Sequence, residues 1–89
     1  MSVTLRLASP LRPFAGGSPT LPVDATDLAS LRTELADRHP DLAARILQDG
    51  RFGPFVSVFI DGEDARYLPD DADLRGARVV ELLPAVSGG

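Results

Sequence analysis

The residues of this sequence best suited to chemistry are its last two, Gly88 and Gly89. They follow a short apolar segment, Leu83-Pro84-Ala85-Val86-Ser87. Glycine adds no side-chain bulk and allows almost any backbone conformation. Such an ending can thread a narrow passage and present the carbonyl of Gly89 to another protein's active site. Chain ends are also commonly disordered, and a glycine pair can arise by chance or from cloning, so the remaining residues must distinguish these interpretations.

Two reactive side chains are missing from the sequence. It has no cysteine, which excludes disulfides, thiolate metal sites and thiol catalysis. It also has no lysine, which excludes Schiff-base chemistry and side-chain amine nucleophiles. An arginine- and alanine-rich codon bias is the ordinary explanation for the missing lysine.

The other candidate groups favour structural roles. His39 is the only histidine, and its place at the end of a predicted helix suits a favourable interaction with the helix dipole. The residues Asp70, Asp71 and Asp73 do not continue into a calcium-loop pattern, because position 6 of such a loop would be Arg75. We therefore expect a solvated acidic loop and no metal site. Gly16-Gly17 precedes no phosphate-binding helix pattern and predicts a turn.

Composition narrows the class of protein. The 89 residues are 44% hydrophobic and 25% charged, as expected of one small globular domain. The net charge of −4 argues against nucleic-acid binding, which depends on neutralising phosphates. No apolar run is long enough to span a membrane, and the first residues lack the pattern of a signal peptide. We expect a cytoplasmic protein with neither nucleic acid nor membrane as partner.

The first half of the chain predicts a strand, a returning strand and a helix. Apolar and polar residues alternate over residues 3–7, and residues 20–23 can form the returning strand. Thr26 is a suitable helix N-cap. The helix that follows has an apolar stripe formed by Leu28, Leu31 and Leu35. It is expected to end before Pro40. Asp41 can cap a second short helical turn that ends at Gly50.

The second half predicts a hairpin and a final strand. Residues 55–60 are rich in β-branched and aromatic residues. Asp61-Gly62 is a hairpin turn signal, with a return through residues 65–68. Residues 78–83 form the last strand, whose alternation places Val80 and Leu82 on one face.

This order predicts an α+β fold, in which one main helix covers one face of a mixed sheet of four to five strands. The first and last strands are apolar and free of internal proline, so we expect them to be central and parallel to each other. Residues 1–83 would form the domain, and residues 84–89 a flexible tail.

One face of the predicted sheet has no helix to cover it. Phe59, Val79 and Leu83 fall on that face. Scattered exposed apolar residues are normal, but a cluster of them beside the tail would form a surface for docking another protein.

The sequence resembles the ubiquitin-like sulfur carriers of the MoaD/ThiS/CysO family, which share the β-grasp fold. The resemblance rests on the order of elements, on Phe55-Val56-Ser57-Val58-Phe59-Ile60-Asp61-Gly62-Glu63-Asp64, and above all on the segment from Leu83 to Gly89. That ending is most similar to those of CysO-type carriers. Ser57 and Asp61 depart from the asparagine frequent in the family, and Arg75-Gly76-Ala77 departs from its acidic turn.

The resemblance implies that the chain is a protein cosubstrate and not an enzyme. An activating enzyme of the ubiquitin-activating type, an adenylyltransferase and sulfurtransferase, would couple Gly89 to AMP from ATP. A sulfur donor would then convert the acyl-adenylate to a thiocarboxylate. The carrier itself would bind no cofactor. Gly88 and Gly89 would make the tail slim, and partner proteins would contact Phe59 on the sheet together with Leu83, Pro84, Ala85, Val86 and Ser87.

The resemblance leaves the acceptor of the sulfur open. It could be a pyridoxal phosphate-dependent cysteine synthase, the large subunit of molybdopterin synthase, or a synthase for a sulfur-containing natural product. Two alternatives also stand: a MoaD-type subunit that is stable mainly within a synthase, and a ubiquitin-like modifier joined to lysines of other proteins through Gly89.

Overall fold

A computed structural model of the protein describes residues 2–65, 68–76 and 79–84. Its principal sheet has five strands: β1 (Ser2–Leu7), β2 (Thr20–Asp24), β5 (Val56–Ile60), β6 (Glu63–Asp64) and β7 (Val79–Pro84). Across the sheet they lie in the order β2-β1-β7-β5-β6. Strand β1 is antiparallel to β2 and parallel to β7, which confirms the predicted mixed sheet with central first and last strands.

Two helices and a small hairpin lie between β2 and β5. Helix α1 spans Leu28–Arg38, and helix α2 spans Pro40–Ile46. The hairpin joins β3 (Leu47–Gln48) to β4 (Arg51–Phe52). Helix α2 was expected to start at Asp41 and to end near Gly50. It begins instead at Pro40, whose fixed φ suits the first helical position, and Gly50 belongs to the turn of the hairpin.

The core lies between the sheet and the helices. The predicted stripe of α1 is buried with at most 3% of any side chain exposed, and the alternate residues of β1 and β7 face it. The principal members of this core are Val3, Leu5, Leu7, Val23, Leu28, Leu31, Leu35, Leu42, Ile46, Val58, Leu74, Val80 and Leu82. The face alternation predicted for the first and last strands is therefore confirmed.

Two predictions for the segments that connect the strands were wrong. The segment between β1 and β2, expected to be a loop, contains a 3-10 helix over Ser9–Ala15, with Leu11 buried in the core. The return strand of the Asp61-Gly62 hairpin is Glu63–Asp64 and does not include Ala65 or Leu68, whereas residues 66 and 67 of the predicted return lie outside the described residues. A two-residue turn places the returning residue directly after it, so that Glu63 pairs with Ile60.

The cap of α1 is Asp27 and not Thr26. The Asp27 carboxylate accepts a hydrogen bond from the backbone N–H of Ser30 at 2.7 Å, and the Ser30 hydroxyl oxygen accepts one from the N–H of Asp27 at 3.0 Å. This capping box satisfies two N–H groups at the start of the helix. The backbone hydrogen bond from Ser30 is the main reason that the pKa of Asp27 lies below its usual 3.8.

We expect the Asp27→Ala substitution to lower the melting temperature at neutral pH. A carboxyl group whose pKa is depressed by folding stabilises the native state above its unfolded pKa, and that stabilisation disappears as pH falls through the folded pKa. The difference between wild type and Asp27→Ala should therefore shrink below pH 3.8. Thermal unfolding followed by circular dichroism across this range measures it.

The matched control is Asp27→Asn, because asparagine also caps helices but does not titrate. It should remain more stable than Asp27→Ala at neutral pH and show a weaker dependence on pH than the wild type. An Asp27→Ala protein that melts at the wild-type temperature at neutral pH would contradict a stabilising cap.

Candidate functional site

Strand β7 leads directly into the predicted reactive tail. Its last described residue, Pro84, lies opposite Val56 at the start of β5, and Leu83 lies opposite Ser57. Pairing with β1 has already ended at Leu82, so a proline at position 84 removes no hydrogen bond from that side of the ladder. The described part of β7 therefore ends at a defined point beside the beginning of β5.

We call this end of β7, at Pro84, the exit of the tail, and the core holds it in place. Val80 and Leu82 in β7 expose none of their side chains. The Leu82 carbonyl also accepts a hydrogen bond from the backbone N–H of Ala8 at 3.1 Å, just after β1. Because β7 is bonded on both sides and buried on one face, the residues after it begin from a fixed position.

The sheet face away from the helices carries the predicted apolar residues. Leu83 is exposed, whereas Phe59 and Val79 are half-buried. The register places Phe59 directly opposite Glu81, and Arg6 of β1 lies on the other side of Glu81. Paired residues share a face, so this surface mixes apolar residues with a carboxylate and a guanidinium.

Phe55 is a site residue that the sequence analysis did not single out. It was assigned to the strand, but it lies in a turn just before β5, and 77% of it is exposed. Val56, its neighbour, is opposite Pro84. A phenylalanine next to a Gly-Pro turn signal, Gly53-Pro54, was the available clue that the strand starts one residue later.

The acidic loop is engaged in ion pairs with arginine. The Asp73 carboxylate accepts bonds from the side chain of Arg75, at 3.0 Å from Nε and 2.9 Å from Nη2, and these bonds lower the pKa of Asp73 to about 2. Asp70 lies 3.0 Å from the guanidinium of Arg32. Within the part of the chain that the structure describes, no three histidine or acidic residues form a group that could hold a metal ion.

The remaining sequence candidates also contribute to structure. The backbone N–H of His39 donates to the Leu35 carbonyl at 2.9 Å, which closes α1. Gly16 and Gly17 have φ values of 67° and 84°, in the left-handed region that favours glycine, and form the predicted turn. No helix in the described ranges is long and apolar enough to cross a membrane.

An open groove of about 590 Å³ lies between α1 and the edge of β5 that faces away from β7. Arg32 lies within it, paired with Asp70 and positioned 5.9 Å from the centre of the Phe52 ring. The groove lies on the side of β5 opposite to β7, whose last described residue is Pro84.

The predicted reactive residues Gly88 and Gly89, together with Ala85, Val86 and Ser87, lie outside the described residues. The described structure brings Leu83, Pro84 and Phe55 to one end of the sheet, where the tail begins. It places Phe59 farther along β5, on the open face.

Comparison with known proteins identifies the family. The model of the ThiS family matches residues 5–89, which is nearly the whole sequence and includes both terminal glycines. The chain belongs to the ThiS family. This agrees with the resemblance drawn from the terminal segment and the order of elements.

Curated relatives in this family are named as sulfur carriers. The chain is 27% identical over 93 aligned positions to the sulfur carrier protein CysO of Mycobacterium tuberculosis, with all of both chains covered. It is 34% identical over 50 positions to a putative sulfur carrier protein of Archaeoglobus fulgidus, with 55% of this chain and 57% of that protein covered.

Solved structures of ThiS-like proteins share the fold. A chain of the Amycolatopsis orientalis BexX/CysO complex matches with a TM-score of 0.80 and 26% identity, over 98% of this chain and 99% of that one. SAMP1 of Haloferax volcanii matches with a TM-score of 0.78 and 28% identity over the whole of both chains. The predicted ubiquitin-like β-grasp fold is confirmed.

Proposed function

We propose that this ThiS-family chain is a sulfur carrier that works through the carboxylate of Gly89. The observation that carries the proposal is that the family match extends through residue 89, at the end of the segment that follows the buried, doubly bonded strand β7 in the sequence. A rigid domain with a slim ending suits delivery of a reactive terminus into another protein's active site.

The proposed chemistry has two steps. A carboxylate oxygen of Gly89 attacks the α-phosphorus of ATP, which forms an acyl-adenylate and releases pyrophosphate. Hydrosulfide from a donor then attacks the acyl carbon, forms the C–S bond and displaces AMP. The product is a thiocarboxylate, and the proton of hydrosulfide goes to solvent. The activating and accepting enzymes supply the catalytic groups, so that the carrier acts as a cosubstrate and binds no cofactor itself.

The partners follow from these steps. One is an enzyme of the ubiquitin-activating type that adenylates and sulfurates Gly89. The other accepts the sulfur: a pyridoxal phosphate-dependent cysteine synthase, a molybdopterin synthase large subunit or a natural-product synthase. The similarity to CysO of Mycobacterium tuberculosis and to a chain of the BexX/CysO complex supports a partner that binds the carrier as a separate protein.

Mass spectrometry of the protein isolated from its own host tests the proposal. We expect part of the intact protein to be heavier by the mass difference between sulfur and oxygen, and fragmentation should place that difference at Gly89. A terminus that is never sulfurated during growth under sulfur limitation would contradict the carrier function.

The similarity to SAMP1, a small archaeal modifier protein, favours one second candidate, a modifier that is conjugated through Gly89. The same host provides the test, because digestion of its other proteins would then release peptides with a Gly-Gly remnant on lysine.

A MoaD-type subunit would instead copurify in a stable complex with a large synthase subunit.

A further inference from the structure

An exposed aromatic side chain lies beside the start of the tail. Across residues 2–65, 68–76 and 79–84, Phe55 and Leu83 are the large hydrophobic residues with more than about a third of their surface exposed, at 77% and 37%. A phenylalanine so exposed gives up most of the favourable free energy of burying its ring. Aromatic residues, phenylalanine among them, are enriched at protein–protein interfaces relative to the rest of the surface.

The surface around Phe55 has a definite shape. A shallow hollow of about 260 Å³ adjoins the ring and is bordered by the end of α2 and by β3, including Ile46, Leu47 and Gln48. Phe55 thus forms a projection next to a depression. We call Phe55, Leu83 and this hollow the tail-base patch.

The length of the tail limits how far from this patch an enzyme that acts on Gly89 can bind. Five residues follow Pro84, and fully extended they span at most about 17 Å. Pro84 is paired with Val56, so the α-carbon of Phe55 lies within about 9 Å of that of Pro84. A standard interface covers about 800 Å² on each partner, a disc with a radius of about 16 Å. An interface of that size centred on the exit of the tail covers Phe55.

We infer that the tail-base patch is the docking site for the enzyme that adenylates Gly89, with Phe55 as its principal anchor. The inference rests on the proposed function, because it requires Gly89 to enter an adenylating active site. The partner surface must offer an apolar pocket for the Phe55 ring and a projecting side chain for the hollow, whose border also includes Arg45.

The structure favours Phe55 over Phe59 as the anchor. Phe59 is half-buried and lies across from Glu81, so a partner that covers it must also remove water from a carboxylate, which is costly unless that charge is paired. Phe55 precedes the paired part of β5, and more of its ring is free to become buried on binding.

ATP–pyrophosphate exchange by the ubiquitin-activating-type enzyme of the host tests this inference, because it reports adenylation without any sulfur donor. With the full-length carrier as the varied substrate, Phe55→Ala should raise the KM for the carrier by about 30-fold, as is typical of an aromatic hot spot. The kcat should stay within about twofold, since a lost docking contact acts on binding. Phe55→Tyr, which keeps the ring, should remain close to wild type.

The control is Glu63→Ala. Glu63 is exposed in β6, at the far end of the β5–β6 hairpin from Phe55, and its substitution should leave both constants unchanged. Circular dichroism should show all variants folded, and if Phe55→Ala is not folded, Phe55→Ser and Leu83→Ala replace it in the same assay.

The outcomes separate the inference from the proposed function. If the wild-type carrier supports no exchange, both fail. If the wild type is active and Phe55→Ala has an unchanged KM, the inference alone is wrong. A larger increase for Phe59→Ala than for Phe55→Ala would move the anchor to the open sheet face. Sedimentation that shows a wild-type dimer and a Phe55→Ala monomer would make a second copy of the chain the occupant, and would also overturn the inference.

Discussion

Deletion of Gly89 should reduce kcat/KM for adenylation by at least about 100-fold while the domain stays folded. The deletion moves the carboxylate back by about 3.5 Å, and displacement of a reacting group by even 1 Å can cost about 100-fold in rate. Pyrophosphate exchange measures the loss. The melting temperature should change little, because the buried residues of β7, Val80 and Leu82, precede the tail.

The control for this prediction adds one alanine after Gly89, which keeps both glycines and moves the carboxylate forward. It should be as inactive as the deletion. If either protein still formed a thiocarboxylate at the wild-type rate, the position of the carboxylate would not matter, and the proposed mechanism would be wrong.

Replacement of Gly88 by phenylalanine should lower kcat/KM by a similar factor, at least about 100-fold, for a different physical reason. The carboxylate of Gly89 remains in place along the chain, but a benzyl group now stands next to it and the residue loses the conformational freedom of glycine. The same exchange assay, together with a mass measurement of thiocarboxylate, detects the loss.

The series Gly88→Ala and Gly88→Phe separates bulk from backbone freedom. Alanine restricts the backbone almost as much as phenylalanine but adds only a methyl group, so it should retain much more activity if the passage is narrow. Full activity of Gly88→Phe would show that no narrow passage receives the tail.

Local patterns determined the elements that do not depend on distant residues. The i, i+3, i+7 spacing of Leu28, Leu31 and Leu35 predicted the buried stripe of α1, and all three are buried. The alternation in the last strand placed Val80 and Leu82 inside, as observed. The dipeptide Asp61-Gly62 predicted a hairpin that the structure contains, with φ values of 48° and 87°.

The same signals were misapplied at other positions. Asp49-Gly50 is the same hairpin dipeptide and joins β3 to β4, with φ values of 54° and 76°. It was interpreted as a helix end because the short strands beside it show no alternation. Thr26 and Asp27 are both residue types that cap helices well. Asp27 is the cap in the structure because its carboxylate accepts a hydrogen bond from the N–H of Ser30, and its own N–H donates to the Ser30 hydroxyl oxygen.

The sequence by itself determined the family resemblance, the tail ending in Gly88 and Gly89, and which residues of β7 face the core. Each of these depends on residue type and on spacing within a few positions. Only the tertiary structure decided that Phe55 lies next to the exit of that tail. Its place follows from the pairing of Val56 with Pro84. The register between β5 and β7 is set by how these strands and the helices pack together. A local sequence pattern does not encode that packing.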